Sequence, residues 1–269
     1  MTRLRTPLAL GIIALFVLLA LLAPVIAPYD PFQGGQDALK PPLSPGHLLG
    51  TNHIGQDILS QLLHGARVSL AVGVSAALSA ALIGALVGSL AGFFGGWVDG
   101  VLMRVSEFFQ VLPRFVLALV IVAFFGSGTL KLIVVLALLS WPQTARLARA
   151  QILSLREATF VDAGRLSGMK PLQLITREIL PNALAPVVIA GSLDIASAIL
   201  LEASLSFFGL GDPNTVSWGF MLNFAQAYLR QAWWMALFPG MAISIVVLTF
   251  NILGDALNDA LNPRLRETV

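Results

Sequence analysis

From Leu8 to Ala27 the chain runs for 20 residues without a charged side chain. As a helix that stretch is about 30 Å long, the thickness of a bilayer's hydrocarbon core. Arg3 and Arg5 precede it and Pro28 follows. A cleavable signal peptide would show a shorter apolar core and a small-residue cleavage site, and neither stands out. The pattern then recurs. Val68–Val98 is uncharged over 31 residues, which holds a span and a loop. Arg114–Arg146 contains only Lys131 as an interior charge and is broken by Gly126-Ser127-Gly128. The spans predicted are 8–27, one within 68–98, then 103–125, 130–148, 183–205 and 236–257.

Composition agrees. Of 269 residues 57% are hydrophobic and 11% charged, against about 25% charged in a typical soluble domain. Sixteen basic and 14 acidic groups cannot wet the surface of a folded sphere this large. Disorder, a coiled coil and an ordinary soluble enzyme are excluded, and an all-α integral membrane protein with six transmembrane helices remains. With no cysteine there are no disulfides, thiol redox chemistry or thiolate metal sites. The net charge of +2 gives no ground for a nucleic-acid partner; the expected surroundings are a lipid bilayer.

Six spans put both termini on one side. With the N-terminus inside, 12 basic groups are cytoplasmic (Arg3, Arg5, Arg104, Arg114, Arg146, Arg149, Arg156, Arg165, Lys170, Arg177, Arg264, Arg266) and four external (Lys40, Arg67, Lys131, Arg230). The excess predicts N-in/C-in. The chain then divides into an N-terminal transmembrane helix (1–28), an external segment (29–67), a core of five spans (68–260) and a cytoplasmic tail (261–269). The external segment is rich in proline and ends in a predicted amphipathic helix. There Ile54, Ile58, Leu59, Leu62 and Leu63 share a face that Gln56, Asp57, Ser60, Gln61 and His64 do not. Such a helix would lie in the interface or across the bundle mouth.

Several residues inside the spans carry hypotheses. Gly84, Gly88, Gly92 and Gly96 stand at strict four-residue spacing, which lets another backbone approach one helix face. Packing within the bundle is one reading and a surface for a second membrane subunit the other. Glu107, near Arg104, suits a paired or snorkelling role. Asp194, about mid-span, and Glu202, near the external end, are possible pathway or gate groups, because charge at depth is costly. Pro113 and Pro142 are expected to kink their helices. Enzyme chemistry finds no support. His47, His53 and His64 form no HExxH motif, there is no GxSxG elbow, and no metal site or catalytic residue is expected. No phosphate-binding G-x-x-x-x-G-K-[ST] loop occurs, so any ATP must be bound by another chain.

The most charged connection, 149–182, is predicted to be cytoplasmic. Within it the sequence from Glu157 to Pro181 reads as helix, glycine turn, helix. The first helix runs to about Ser167, Gly168 supplies the left-handed position after it, and Pro171 opens the second helix, which Pro181 ends. Phe160, Ala163, Gly164 and Leu166 offer a small apolar surface suited to a groove.

This loop resembles the coupling motif of ABC importer permeases, EAA-x3-G-x9-I-x-LP. It is present as Asp162-Ala163-Gly164, three residues, Gly168, nine residues, and Glu178-Ile179-Leu180-Pro181. The departures are Asp for Glu, Gly for the second Ala and Glu178 for Ile. Other stretches are similar to the dipeptide/oligopeptide/nickel permease family. They are Leu49-Gly50-Thr51 with Gly55, Asp57 and Gly65–Leu70; Gly95–Asp99; Glu202–Phe207; Ser217-Trp218-Gly219; and Phe250–Asp255 with Asp259 and Pro263–Arg266. The single external helix-bearing segment after span one resembles the C-type of the two paralogous subunits. Asn52, Gln56 and Gln61 stand where that family often has acidic or Arg residues.

The resemblance implies a multi-pass permease of a bacterial or archaeal inner (plasma) membrane, most consistent with di- or oligopeptide import. Nickel or metal chelates and glutathione are alternatives within the family, and a stand-alone secondary transporter or channel is the alternative outside it. It further implies a homologous B-type permease, two ABC ATPase subunits that use ATP and Mg, and an extracytoplasmic solute-binding protein. No cofactor is expected on this chain. Glu157, Phe160, Asp162, Ala163, Gly164, Gly168 and Pro181 would form the coupling-helix loop that touches an ATPase.

Overall fold

Hydrocarbon offers backbone groups no hydrogen-bond partner, so apolar runs close their own bonds as helices. The computed structural model describes residues 2–261. Arg264, Arg266 and the rest of the expected tail beyond Leu261 lie outside the described residues. In order the helices are α1 (Thr2–Ile26), α2 (Ile58–Phe94), α3 (Gly96–Val111), α4 (Arg114–Phe125), α5 (Thr129–Leu155), α6 (Thr159–Leu166), the single turn α7 (Pro171–Gln173), α8 (Leu180–Phe207), α9 (Trp218–Ala225) and α10 (Trp234–Leu261). Among the described residues there is no strand, only two isolated bridges, Ser44 with His47 and Thr51 with Asp57. Five helices are long and apolar enough to cross a membrane, and six spans result if the bent pair α3/α4 is taken as one.

That pair is where the third expected span departs from prediction. Around Pro113 it breaks, and α3 and α4 meet at 87°. Proline has no N–H and clashes with a preceding helical turn; Leu112 and Pro113 are accordingly extended, with ψ of 143° and 122°.

The second span differs at its start. α2 has 37 residues, about 55 Å, and begins ten residues before the expected boundary at 67/68. Among the described residues there is no separate amphipathic helix; its part from Ile58 to His64 forms the first turns of α2, and Ile54, Gln56 and Asp57 precede them. The polar side of those turns is buried, along with Asn52 and Gln56 just ahead of them. Asp57 caps α2, accepting from the Ser60 N–H at 2.8 Å, and pairs with His47 at 3.0 Å. Gln56 Oε1 accepts from Asn52 at 2.7 Å and from Gln61 at 2.8 Å. Gln56 and Gln61 donate onward to the carbonyls of Phe32 and Pro31. Residues 27–57 thus fold as a collar with a polar core, fixed to the bundle by Trp234 Nε1 donating to the Thr51 carbonyl at 3.1 Å.

Below the collar two apolar clusters fill the bundle. One joins α1, α2, α8, α9 and α10 around Trp218, Ile199, Met235 and Val246; the other joins α2, α4, α5 and α8 around Val72, Leu136, Leu139 and Leu205. Trp218 is fully buried, donates to the Leu62 carbonyl at 3.0 Å, and fits because Gly65 leaves room beside its ring. The 208–217 loop is fastened at the same end as the collar. Asp212 accepts from the backbone N–H and hydroxyl of Thr129, both at 2.9 Å, and so caps α5 from another segment. Burial opposes that carboxylate's charge, but the hydrogen bonds from Thr129 and Asn214 outweigh it and hold its pKa below the usual value.

Candidate functional site

At the end opposite the collar, α5 passes into the 156–179 hairpin, which returns into α8. Three hydrogen-bond features set its shape. Gly168 has φ +77°, which glycine adopts freely. Its N–H donates to the Arg165 carbonyl at 3.0 Å, and the Met169 N–H to the Gly164 carbonyl at 3.1 Å, so α6 ends in a Schellman turn. The Lys170 N–H donates to Gln173 Oε1 at 3.0 Å and Pro171 follows as the first residue of α7. Leu174–Ile179 then forms a π-helical turn that runs straight into α8.

Pro181 therefore does not end the second helix, as expected from its sequence position. It sits in the first turn of α8, where a missing N–H is tolerated, and the wide π turn directly before it gives its ring space. Val161, Leu174, Ile179 and Ile152 are buried together and hold α6 onto this return limb. Gly164 belongs to that inner side: a Cβ there would fall 2.6 Å from Leu174 Cδ2. It is not on the outward surface proposed for it. Phe160, Ala163 and Leu166 are on that surface, and Leu166 is 91% exposed. Asp162 pairs with Arg165 at 2.7 Å, and exposed Glu157 lies 3.6 Å from Arg156. Leu172 adds a further exposed apolar side chain, which sequence reasoning did not single out.

The glycine series lies against α5 within this chain. Cβ atoms on Gly84, Gly88 and Gly92 would collide with Trp141–Thr144, Ala145–Arg149 and Arg149–Ile152 respectively. Gly96 does not share the face; α2 has ended at Phe94, Gly96 has φ +53°, and nothing approaches its Cβ position within 4 Å. Asp99 forms a two-pronged pair with Arg149, which pins the start of α3 to α5. Glu107 pairs with Arg104 at 3.2 Å on an exposed face.

The two intramembrane carboxylates have different surroundings. Glu202 is 1% exposed and enclosed by hydroxyls: Ser206 donates at 2.7 Å, Ser69 at 3.2 Å, and Ser217 also reaches it. Ser69 in turn accepts the Trp218 N–H at 3.2 Å. Glu202 is thus a tie between α2, α8 and α9, sealed from any open route in this conformation. Asp194 accepts from Thr144 at 3.3 Å. At the break between α3 and α4, Arg114 donates to Gln143. Sequence reasoning placed Arg114 among the cytoplasmic charges and passed over Gln143. The signal available was the Pro113-Arg114 step inside an otherwise apolar stretch.

Residues 84–267 match the family described as "Binding-protein-dependent transport system inner membrane component". Residues 8–42 match "N-terminal TM domain of oligopeptide transport permease C". A dipeptide transport system permease protein of Escherichia coli (strain K12) is 44% identical over 263 residues, 95% of this chain and 87% of the relative. A di/tripeptide transport system permease protein of Pseudomonas aeruginosa (strain UCBPP-PA14) is 41% identical over 259 residues, 94% of this chain and 86% of the relative. Among solved structures, an inward-facing form of the MetNI methionine ABC transporter has a similar fold. Its TM-score is 0.63 at 19% identity, covering 76% of this chain and 98% of that one.

Proposed function

The chain belongs to the family of binding-protein-dependent transport system inner membrane components, and from that membership we propose that it serves the import of di- or tripeptides, with the 156–179 hairpin as its contact for an ATPase subunit. As a permease subunit it forms part of a translocation path across the bacterial inner membrane. ATP and Mg are used by the partner ATPases, a homologous permease supplies the other half of the path, and an extracytoplasmic binding protein delivers the solute. The hairpin end and both termini are cytoplasmic; the collar faces outward. Relatives named for dipeptide and di/tripeptide transport, similar over nearly their whole length, support the substrate class.

The observation that carries the coupling role is the exposed apolar face of α6, Phe160 and Leu166 above all, held rigidly by a buried inner side. Large apolar groups in water on a fixed turn suit a partner's groove. The return limb continues without a gap into α8, so a push on α6 is passed to the span that carries Asp194. Leu166→Asp tests this. The side chain is exposed, so folding is little affected. Burying a charge in the partner's groove is expected to lower ATP hydrolysis stimulated by the binding protein, and peptide uptake, by about tenfold or more. Uptake at the normal rate by that variant would remove the hairpin from the coupling role.

A further inference from the structure

Gln143 is fourteen residues into α5 and Asp194 thirteen residues from the collar end of α8. At 1.5 Å per residue both lie about 20 Å below that end, well inside a hydrocarbon core about 30 Å thick. Arg114 joins them there because the third span breaks at Pro113. Gln143 is exposed and Arg114 half-buried, so their side of the bundle cannot face lipid at that depth. It must face protein or water.

The guanidinium is also underused. It has five N–H donors, and among the described residues it bonds only to Gln143. Arg114's charge is felt at Asp194, yet among the described residues the two form no ion pair. Thr144 holds the carboxylate instead. The planar fork of Arg114 therefore keeps N–H donors that no group among the described residues accepts. A fork of that shape matches a carboxylate with two parallel bonds.

We infer that Arg114, positioned by Gln143, is a midway binding site on the translocation path for the C-terminal carboxylate of the passing peptide, with Asp194 a nearby carboxyl that moderates its grip. This rests on the peptide-import reading above. Full neutralisation by Asp194 would leave nothing for the ligand; a bare Arg would bind too tightly to release. The offset between the two charges gives a site that holds the solute while the bundle changes from one opening to the other.

The test uses the whole importer in proteoliposomes with its binding protein and radiolabelled dialanine, counting peptides imported per ATP hydrolysed. In Arg114→Gln an unheld peptide escapes before the path closes behind it, so the ratio is expected to fall about tenfold or more. Arg114→Lys, which keeps the charge and loses the fork, is expected to fall between the wild type and the Gln variant. An unchanged ratio in Arg114→Gln overturns the inference, as does a Lys variant as poor as the Gln variant. So does a proportional fall of uptake and hydrolysis, which marks misfolding. Loss of the partner permease on purification also overturns it, by making Arg114 an interface residue. A wild-type importer that hydrolyses ATP with its binding protein but imports no dipeptide fails at the earlier reading instead.

Discussion

The seam between α2 and α5 should tolerate nothing larger than hydrogen at Gly88. A Cβ there would stand 2.7 Å from Ala148 Cβ and 2.9 Å from the Arg149 nitrogen, and closer still to the Ala145 carbonyl oxygen. Carbon atoms rest at about 3.5–4.0 Å, so α2 and α5 would have to part by about 0.8 Å. Gly84 and Gly92 are packed as tightly one turn away on either side, Gly84 2.6 Å from Thr144 Cβ and Gly92 2.9 Å from Ile152 Cβ by the same measure. The separation cannot be local, and a gap of that width forfeits a quarter to a half of each contact's attraction. Overpacking of this kind costs about 3 kcal/mol at the upper end of its usual range, offset by about 1 kcal/mol from the better helix propensity of alanine.

Gly88→Ala is therefore expected to destabilise the chain by about 2 kcal/mol, roughly a thirty-fold shift in the folding equilibrium. Gly100→Ala is the matched control, because nothing lies within 4 Å of its Cβ position. Thermal unfolding of the purified importer in detergent, followed by intrinsic Trp fluorescence, measures both. The Gly88 variant should melt several degrees below the wild type and the Gly100 variant at or slightly above it. Equal melting temperatures for the two variants would refute the packing argument.

The Glu202 tie and the Asp212 cap make two further predictions. Glu202→Leu leaves the hydroxyls of Ser69, Ser206 and Ser217 without their common acceptor, and should destabilise the chain by about 3 kcal/mol while Glu202→Gln, which can still hydrogen-bond, costs under about 1 kcal/mol; denaturation midpoints separate the two outcomes, and equal midpoints would show the tie to be idle. The Asp212 carboxyl has its pKa lowered in the folded state, so its contribution is fully present above the ordinary value of about 4 and is lost as pH falls through the lowered one. Hydrogen exchange at the Thr129 amide should accordingly lose protection, relative to neighbouring amides of α5, only below about pH 4. Asp212→Asn should abolish that pH dependence, and an unchanged profile in the variant would contradict the cap.

Helix class and the five unbroken spans were legible because hydrocarbon imposes one rule on every backbone group, and a 20-residue apolar run obeys it in only one way. The hairpin was legible for a related reason: Gly168 and Pro171 restrict the backbone locally, so their spacing carries the turn. What escaped depended on partners distant in sequence. Gln56, Asp57, Ser60 and Gln61 lie off the apolar face of a helix, which ordinarily means water; here carbonyls of Phe32 and Pro31 and the side chain of His47 cover them. Pro113 was expected to kink one span, but whether a proline bends a helix or divides it depends on what receives the ends, here Ser106 against the Pro142 carbonyl and Arg114 against Gln143. Gly164 pointed inward rather than outward because Leu174 and Met169 claimed its space. The bond from Arg114 to Gln143 was not legible, because the two stand 29 residues apart in the chain.

The collar also bears on how the chain could be shortened. Ser60 accepts the Tyr29 N–H at 3.1 Å, while Gln56 and Gln61 spend their amides on Phe32 and Pro31. A truncation placed between α1 and α2, as a fold diagram would invite, strands these groups in a dry interior. A shorter permease obtained by removing the first helix would have to give up the connecting segment as well and replace the polar first turns of α2 with apolar ones. The N-terminal unit is detachable as a module only together with the socket that receives it.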